Sequence, residues 1–442
     1  MRNISDRING LLSISGAVWL LYETIIAYRQ LFGIVPSNNP LFTITGSFNN
    51  PGPFGGFVAV LLSISIVFAI SLFEKKDRNR LEWALLISTS ASSIAALVIL
   101  PSSGSRTALI SIAISAFCFI LVNWEKLRLN ISKRNFVVIT LSVFFLSAVG
   151  LFLMKPDSAI GRFHIWNIEC RVIADNPVKG VGDGQALGAY GIEQAEYFKE
   201  IERPEVLKRV AGCPEYAFNE YLRTGMERGL PCMAVQILAT IFVILVLLKR
   251  NSPLAYGAIT LTVFAFASYP FSLWQFRAIA LALLCAGIIN IPIDVRGQMT
   301  ALAVTVAIAI ITFSRGGIKD EEQTYRQMYE QGYDLFEYGS YPEAIKILEE
   351  GAQISSDPMF HNIIGRCHEA LGEYDAAERE YILSHFMVPG RLYPLVLLKE
   401  MYEKTGKVEE SEKVMGEILS IPINPKNSNM SKLLERAKYG EQ

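Results

Sequence analysis

Six side chains in this sequence are of the types that a group transfer needs. Arg106, Arg162 and Arg277 are fixed cations. A guanidinium stays ionised when half-buried and meets a phosphate or carboxylate through two parallel N–H donors. Glu220, Glu215 and His164 are groups able to take a proton from an attacking hydroxyl. Together the two sets suit a reaction in which an anionic group departs as a hydroxyl attacks. Each also has a plainer reading: the arginines anchor or snorkel at headgroup level, and the proton acceptors are solvated loop residues. Glu23 is open in the same way, since a carboxylate within an apolar stretch is either functional or a helix–helix contact. There is no Asp-x-Asp pair, and the cysteines at 118, 170, 213, 232, 285 and 367 lack metal-site spacing. The expectation is a site with neither metal nor cofactor.

The elements that must position these groups are membrane helices. About nine apolar stretches run through residues 1–315, near 10–33, 53–73, 83–100, 107–124, 136–154, 231–248, 254–270, 274–291 and 298–314. Each is close to the roughly 20 residues that span about 30 Å of hydrocarbon, and only a helix satisfies its own backbone in lipid. Every second loop is basic: Arg2 and Arg7, Lys75 to Arg80, Lys126 to Arg134, Lys249 and Arg250, then Arg296. The positive-inside rule places these loops in the cytoplasm. Loops 34–52, 101–106, 155–230 and 270–273, and the C-terminus, then lie outside. No stretch reads as a cleaved signal peptide. All six chemistry-bearing residues fall in, or at the edge of, the outer loops.

The C-terminal part is different in kind. From Lys319 onward there are 14 Lys and Arg against 23 Asp and Glu, which argues against nucleic acid or an anionic lipid surface as a partner. Gly332, Leu335, Gly339, Tyr341, Ala344 and Leu348 recur 33 residues later as Gly365, His368, Gly372, Tyr374, Ala377 and Tyr381. A weaker third copy has Lys399, Tyr402, Gly406, Val408, Ser411 and Met415. This resembles the tetratricopeptide repeat, a helix–turn–helix unit of 34 residues that stacks into an α-solenoid. The resemblance implies a protein-binding surface over residues 319–442; a purely structural appendage is the alternative.

The outer loop 155–230 is too long for a plain connection, and such loops are commonly functional. It contains Gly161-Arg162-Phe163-His164-Ile165-Trp166, then Asn176-Pro177-Val178-Lys179-Gly180-Val181-Gly182-Asp183-Gly184, then Phe218-Asn219-Glu220-Tyr221-Leu222. The three glycines look like a phosphate cradle, but no strand precedes them and no acidic ribose partner follows, so a tight turn is the better account.

These segments resemble the O-antigen ligase and O-antigen polymerase superfamily. Its marks are Gly-Arg-x-x-x-Trp at the start of a large periplasmic loop, an Asn-Pro-x-x-Gly-x-Gly turn, and Asn-x-Tyr-Leu before the next span. Thr43 to Pro51 and Ser103-Gly104-Ser105-Arg106 also match, so the resemblance covers about residues 20–290. A tetratricopeptide tail is familiar in such proteins, particularly in the Bacteroides group. The family has further N-terminal spans, so this chain is expected to begin some helices late. It also often carries a histidine, the proposed base, directly before the Asn of Asn-x-Tyr-Leu; here that residue is Phe218, whose ring accepts no proton.

The resemblance implies an inner-membrane glycan transferase with an all-α fold: a polytopic helical bundle followed by a tetratricopeptide solenoid. Outside the cytoplasm no nucleotide sugar is available, so the donor would be a polyprenyl-pyrophosphate-linked glycan and the acceptor a hydroxyl on lipid, glycan or protein. Arg106 and Arg162 would hold the departing pyrophosphate, with Arg277 as a third contact. Trp166 and Asn219 belong to the same motifs and would line the substrate site. Glu220, Glu215 and His164 compete for the role of base. The rival reading is a catalytically degenerate relative that recruits a periplasmic protein through its repeats. A transporter lacks the broken helices in matching halves that would support it.

Overall fold

The structure, a computed structural model, describes residues 2–154, 156–291, 297–303, 321–422 and 428–440. Regular structure among them is entirely helical. Backbone contacts divide the chain into two compact units. One comprises residues 1–147, 218–221 and 234–318; the other comprises 148–217, 222–233 and 319–442. Most of the long loop 156–230, all but residues 218–221, therefore groups with the C-terminal helices, not with the apolar helices that flank it in sequence.

The first unit is built from α1 (Arg2–Leu31), α2 (Pro51–Glu74), α3 (Arg80–Ile99), α4 (Arg106–Val122), the single turn α5 (Trp124–Leu127) and most of α6 (Lys133–Met154). The inner part of α10 (Glu220–Lys249), with α11 (Leu254–Ala265) and α12 (Trp274–Ile289), completes it. Their ends are chemically marked. The side chain of Asn50 caps α2 ahead of Pro51, Asn79 and Glu82 form a capping box on α3, and Ser105 caps α4.

Helix α2 is the axis of this unit: every residue from Pro53 to Ser65 is buried, and α1, α3, α4 and α11 pack around it. Glycines permit the approach. A Cβ on Gly56 would come within 2.1 Å of the Phe264 ring, and one on Gly257 within 2.4 Å of Ile64. Small residues of this kind are how helices gain van der Waals contact in lipid, where the hydrophobic effect between helices is absent. Phe264 stacks on Phe276 at 5.6 Å, and Ser63 and Thr260 share a buried hydrogen bond of 2.7 Å. On α10, Val235, Leu238, Phe242 and Leu245 are exposed, as a lipid-facing surface requires.

Among the described residues, four helices are long and apolar enough to cross a membrane: Ser5–Leu31, Pro51–Glu74, Arg80–Ser103 and Glu220–Lys249. Shorter apolar helices cover Arg106–Val122, Leu254–Ala265 and Trp274–Ile289. The expected span at 298–314 lies largely outside the described residues.

The second unit holds the loop helices α7 (Pro156–Asp175), α8 (Ala186–Glu200) and α9 (Glu205–Val210) with seven C-terminal helices. These are α13 (Glu321–Glu337), α14 (Tyr341–Ile354), α15 (Met359–Ala370), α16 (Tyr374–Met387), α17 (Tyr393–Lys404), α18 (Val408–Ser420) and α19 (Ser428–Tyr439). They pair in order, α13 with α14, α15 with α16, and α17 with α18. The sequence repeat is visible as packing. A Cβ on Gly332 would meet Leu348 at 2.5 Å, and one on Gly365 would meet Tyr381 at 2.5 Å. Each helix pair turns on a left-handed glycine: Gly339, Gly372 and Gly406 have φ of 80°, 78° and 73°.

Candidate functional site

In the first unit Asn219, Glu220 and Arg277 come together at a turn before α12. Asn219 is buried, and its Oδ1 accepts from the backbone N–H of Tyr221, an Asx turn that opens α10. This sets Glu220, also buried, so that its carboxylate accepts from the backbone N–H of Phe271. Arg277, on the first turn of α12, donates to the carbonyl of the same residue. A carboxylate and a guanidinium thus meet on one residue of backbone. Phe218, where the resembled family has histidine, packs edge-on against Tyr269 with ring centroids 5.8 Å apart. Arg106 is exposed at the start of α4, beside the Ser103–Ser105 segment. That segment lies against α2, where a Cβ on Gly55 would be 2.5 Å from the Ser103 hydroxyl.

The segment Thr43 to Pro51 is held from below by α1. Glu23 accepts from the Ser47 backbone at 3.1 Å and from the Ser47 hydroxyl at 2.6 Å. Gln30 accepts from the backbone N–H groups of Thr45 at 3.0 Å and Gly46 at 2.8 Å. Gly46 has φ of 58°, and a Cβ there would sit 2.7 Å from the Glu23 carboxylate. Glu23 is therefore a loop anchor, a third role beside the two its sequence position suggested.

The other candidates stand in the second unit. Arg162 is half-buried on α7. Trp166, one turn on, packs edge-on against Phe163 at 5.8 Å. His164 is buried and bonded to Gln194 at 2.9 Å. Burial among Tyr197 and Phe198 holds its pKa below the usual imidazole value. Because Gln194 presents its oxygen, the neutral ring donates from Nε2, so that atom already holds its proton. Glu215 is exposed and faces Arg326 at 3.3 Å. The predicted residues thus fall into two groups, with Arg106, Glu220, Arg277 and Asn219 in one unit and Arg162, His164, Trp166 and Glu215 in the other.

The glycine turn is a wedge against the start of α10. Gly180, Gly182 and Gly184 have φ of 68°, 111° and 77°. The N–H groups of Val181 and Gly182 donate to Met226 and Glu227 carbonyls at 2.8 and 3.0 Å, and that of Gly184 to the Glu227 carboxylate at 3.3 Å. Those donors are turned to the protein itself, as a tight turn requires and a phosphate cradle does not. Opposite them α10 breaks at Gly229, with φ of 80° ahead of Pro231. A Cβ on Gly229 would lie 2.3 Å from the Val178 carbonyl. Between turn and helix is a small cleft lined by Gly184, Leu187, Tyr216, Arg223 and Glu227, with Arg223 and Glu227 paired at 3.0 Å.

Three charged residues escaped the sequence reading. Arg223 and Glu227 lie just beyond the Asn-x-Tyr-Leu segment, and the Gly229-Leu230-Pro231 break was the available signal. Glu169 is the third. It is 1% exposed, its Oε2 has no hydrogen-bond partner among the described residues, and burial pushes its pKa up to about 8. Its seven-residue spacing from Arg162 puts both on one side of α7, which was legible; its burial was not.

Residues 91–237 match the family model described as O-antigen ligase. No curated protein matches the chain. With its apolar helices, this match identifies a multi-pass membrane protein.

Proposed function

Taking the O-antigen ligase match as premise, we propose that this chain transfers a saccharide from a polyprenyl-pyrophosphate donor to a hydroxyl on a lipid, glycan or protein acceptor. It would do so on the periplasmic side of a bacterial inner membrane. In the step, the acceptor oxygen bonds to the anomeric carbon, the bond from that carbon to the pyrophosphate oxygen breaks, and the electron pair leaves with the pyrophosphate. The acceptor proton passes to a base. The observation that carries this reading is that Glu220 and Arg277 bond to the N–H and the carbonyl of the same residue, Phe271, so that a buried carboxylate and a guanidinium share the turn before α12. Glu220 supplies the base that Phe218 cannot. Arg106, Arg162 and Arg277 stabilise the departing charge, and such preorganised donors are often the largest catalytic contribution. Trp166 and Asn219 line or shape the substrate site. His164, with Nε2–H bonded to Gln194, and Glu215, facing Arg326, are the weaker candidates for base.

The C-terminal helices form tetratricopeptide-like pairs and provide a periplasmic binding surface, supported by the Gly332–Leu348 and Gly365–Tyr381 packing at the same interval in successive copies. The second reading, an inactive scaffold, is favoured by Phe218.

Transfer measured in a strain lacking the native gene tests the proposal, with protein level followed by immunoblot. Arg162→Lys is expected to fail almost as badly as Arg162→Ala, because lysine lacks the two-donor fork. The loss should be about 10²–10³-fold. Glu220→Gln should slow turnover and leave donor binding nearly intact. A well-expressed Arg162→Ala protein with full activity would remove the mechanism, and a wild-type protein inert toward every acceptor would favour the scaffold.

A further inference from the structure

Helix α8 has a smooth stripe. Gly188, Gly191, Gln194 and Phe198 recur every three or four residues and are all buried. A Cβ on Gly188 would lie 2.2 Å from the carbonyl oxygen of Gln353, so the α8 backbone rests directly on the end of α14. At Gly191 a Cβ would be 2.5 Å from the Met387 methyl and 3.7 Å from the Ser356 Cβ. No larger residue fits at Gly188 without moving backbone. The contact continues along the chain. Gln194 donates to the carbonyls of Met387 and, at 3.0 Å, Gly212. Ala195 packs with Met387 and Val388, flanked by Cys213 and Leu383. The hydroxyl of Ser356 donates to the Pro214 carbonyl at 2.8 Å. Arg391 bridges Asp357 at 3.0 Å and the Cys213 sulfur at 3.0 Å. All of these residues belong to one compact unit.

We infer that the surface made by α14, α16 and the junctions that follow them, 355–358 and 388–391, is a docking site whose occupant is the chain's own outer loop, residues 186–216. This deepens the proposed function and rests on it for the array's binding role. The array's partner on this surface is internal, and the surface is closed to a separate protein while the loop is seated. Two consequences follow. Loop and array must lie on the same side of the membrane, whichever side that is. And the array steadies α7: Gln194 joins the Met387 carbonyl to His164, two residues from Arg162.

The test is a cross-link in the full-length chain in native membranes. The 3.7 Å separation at Gly191 and Ser356 matches the roughly 3.8 Å between the Cβ atoms of a disulfide. The double variant Gly191→Cys, Ser356→Cys should form a 191–356 link in most molecules under mild oxidation, identified as a linked peptide by mass spectrometry. Neither single variant should give that peptide. Gly188→Val, in the otherwise unaltered chain, should open the 186–216 segment to protease. Two thiols that both label with maleimide and never join, in well-inserted protein, would overturn the docking. The link is read without any transfer reaction, so its failure leaves the glycan-transfer reading standing, and an inactive Arg162→Ala protein leaves the docking standing.

Discussion

Glu169 should make this protein less stable as pH rises. Its side chain is 1% exposed, with Oε2 unpartnered among the described residues, and its folded pKa is pushed up to about 8 by burial, against 4.5 for the unhindered group. Between those values the folded chain holds a proton that the unfolded chain has released. Stability therefore falls with rising pH across the window from about 4.5 to 8. At about 1.4 kcal/mol per pH unit per proton, and allowing for partial titration near the upper end, ionisation costs roughly 3 kcal/mol by pH 7. About 1.6 kcal/mol of the total loss falls between pH 6.5 and 8. Glu169→Gln keeps the shape and cannot ionise, so it should flatten this dependence and raise the stability of the folded protein at pH 7.5 by up to about 4 kcal/mol. The assay is thermal unfolding of detergent-purified protein at several pH values between 6.5 and 8, wild type beside Glu169→Gln. A midpoint that falls equally in both proteins, or that rises with pH in the wild type, would refute the reasoning.

His385 should act in the opposite sense at lower pH: burial holds its pKa down to about 4, so stability should drop as pH falls from about 6.5 toward 4, and His385→Phe should remove that part of the acid sensitivity in the same unfolding assay. Gly365→Ala should destabilise the C-terminal helices by about 1–3 kcal/mol, because its Cβ would strike the fully buried Tyr381. Gly416→Ala, in open space on α18, should instead stabilise by about 0.5–1 kcal/mol, and equal shifts of the unfolding midpoint in the two would contradict the packing described. Reporter fusions at residues 191 and 442 should both report the periplasm and one at 76 the cytoplasm; a cytoplasmic signal at 442 would break the topology.

What the sequence determined by itself is whatever is written locally. Long apolar runs such as Pro53 to Phe73 force helices, because backbone groups in lipid have no other partner. Asn79 with Glu82, and Ser105 before α4, mark helix starts in the residues that satisfy free N–H groups. The interval between Gly339, Gly372 and Gly406 foretold a recurring turn, since a left-handed residue after a helix is cheapest as glycine. Gly180, Gly182 and Gly184 were legible as a turn for the same reason.

Tertiary structure alone decided what depends on distant residues meeting. Nothing in residues 186–200 announces that Gly188 lies on Gln353, because a close backbone approach leaves only a missing side chain as its trace. Glu220 and Arg277 are 57 positions apart and meet on the Phe271 backbone, whose polar groups carry no sequence signature. The pairing of outer loop and C-terminal helices in one unit, and the distribution of the candidate site residues over two, follow from such long-range contacts. So does the environment of Glu169, identical in sequence to any solvated glutamate: its charge state is set by how much water its neighbours exclude, and only the folded chain supplies those neighbours.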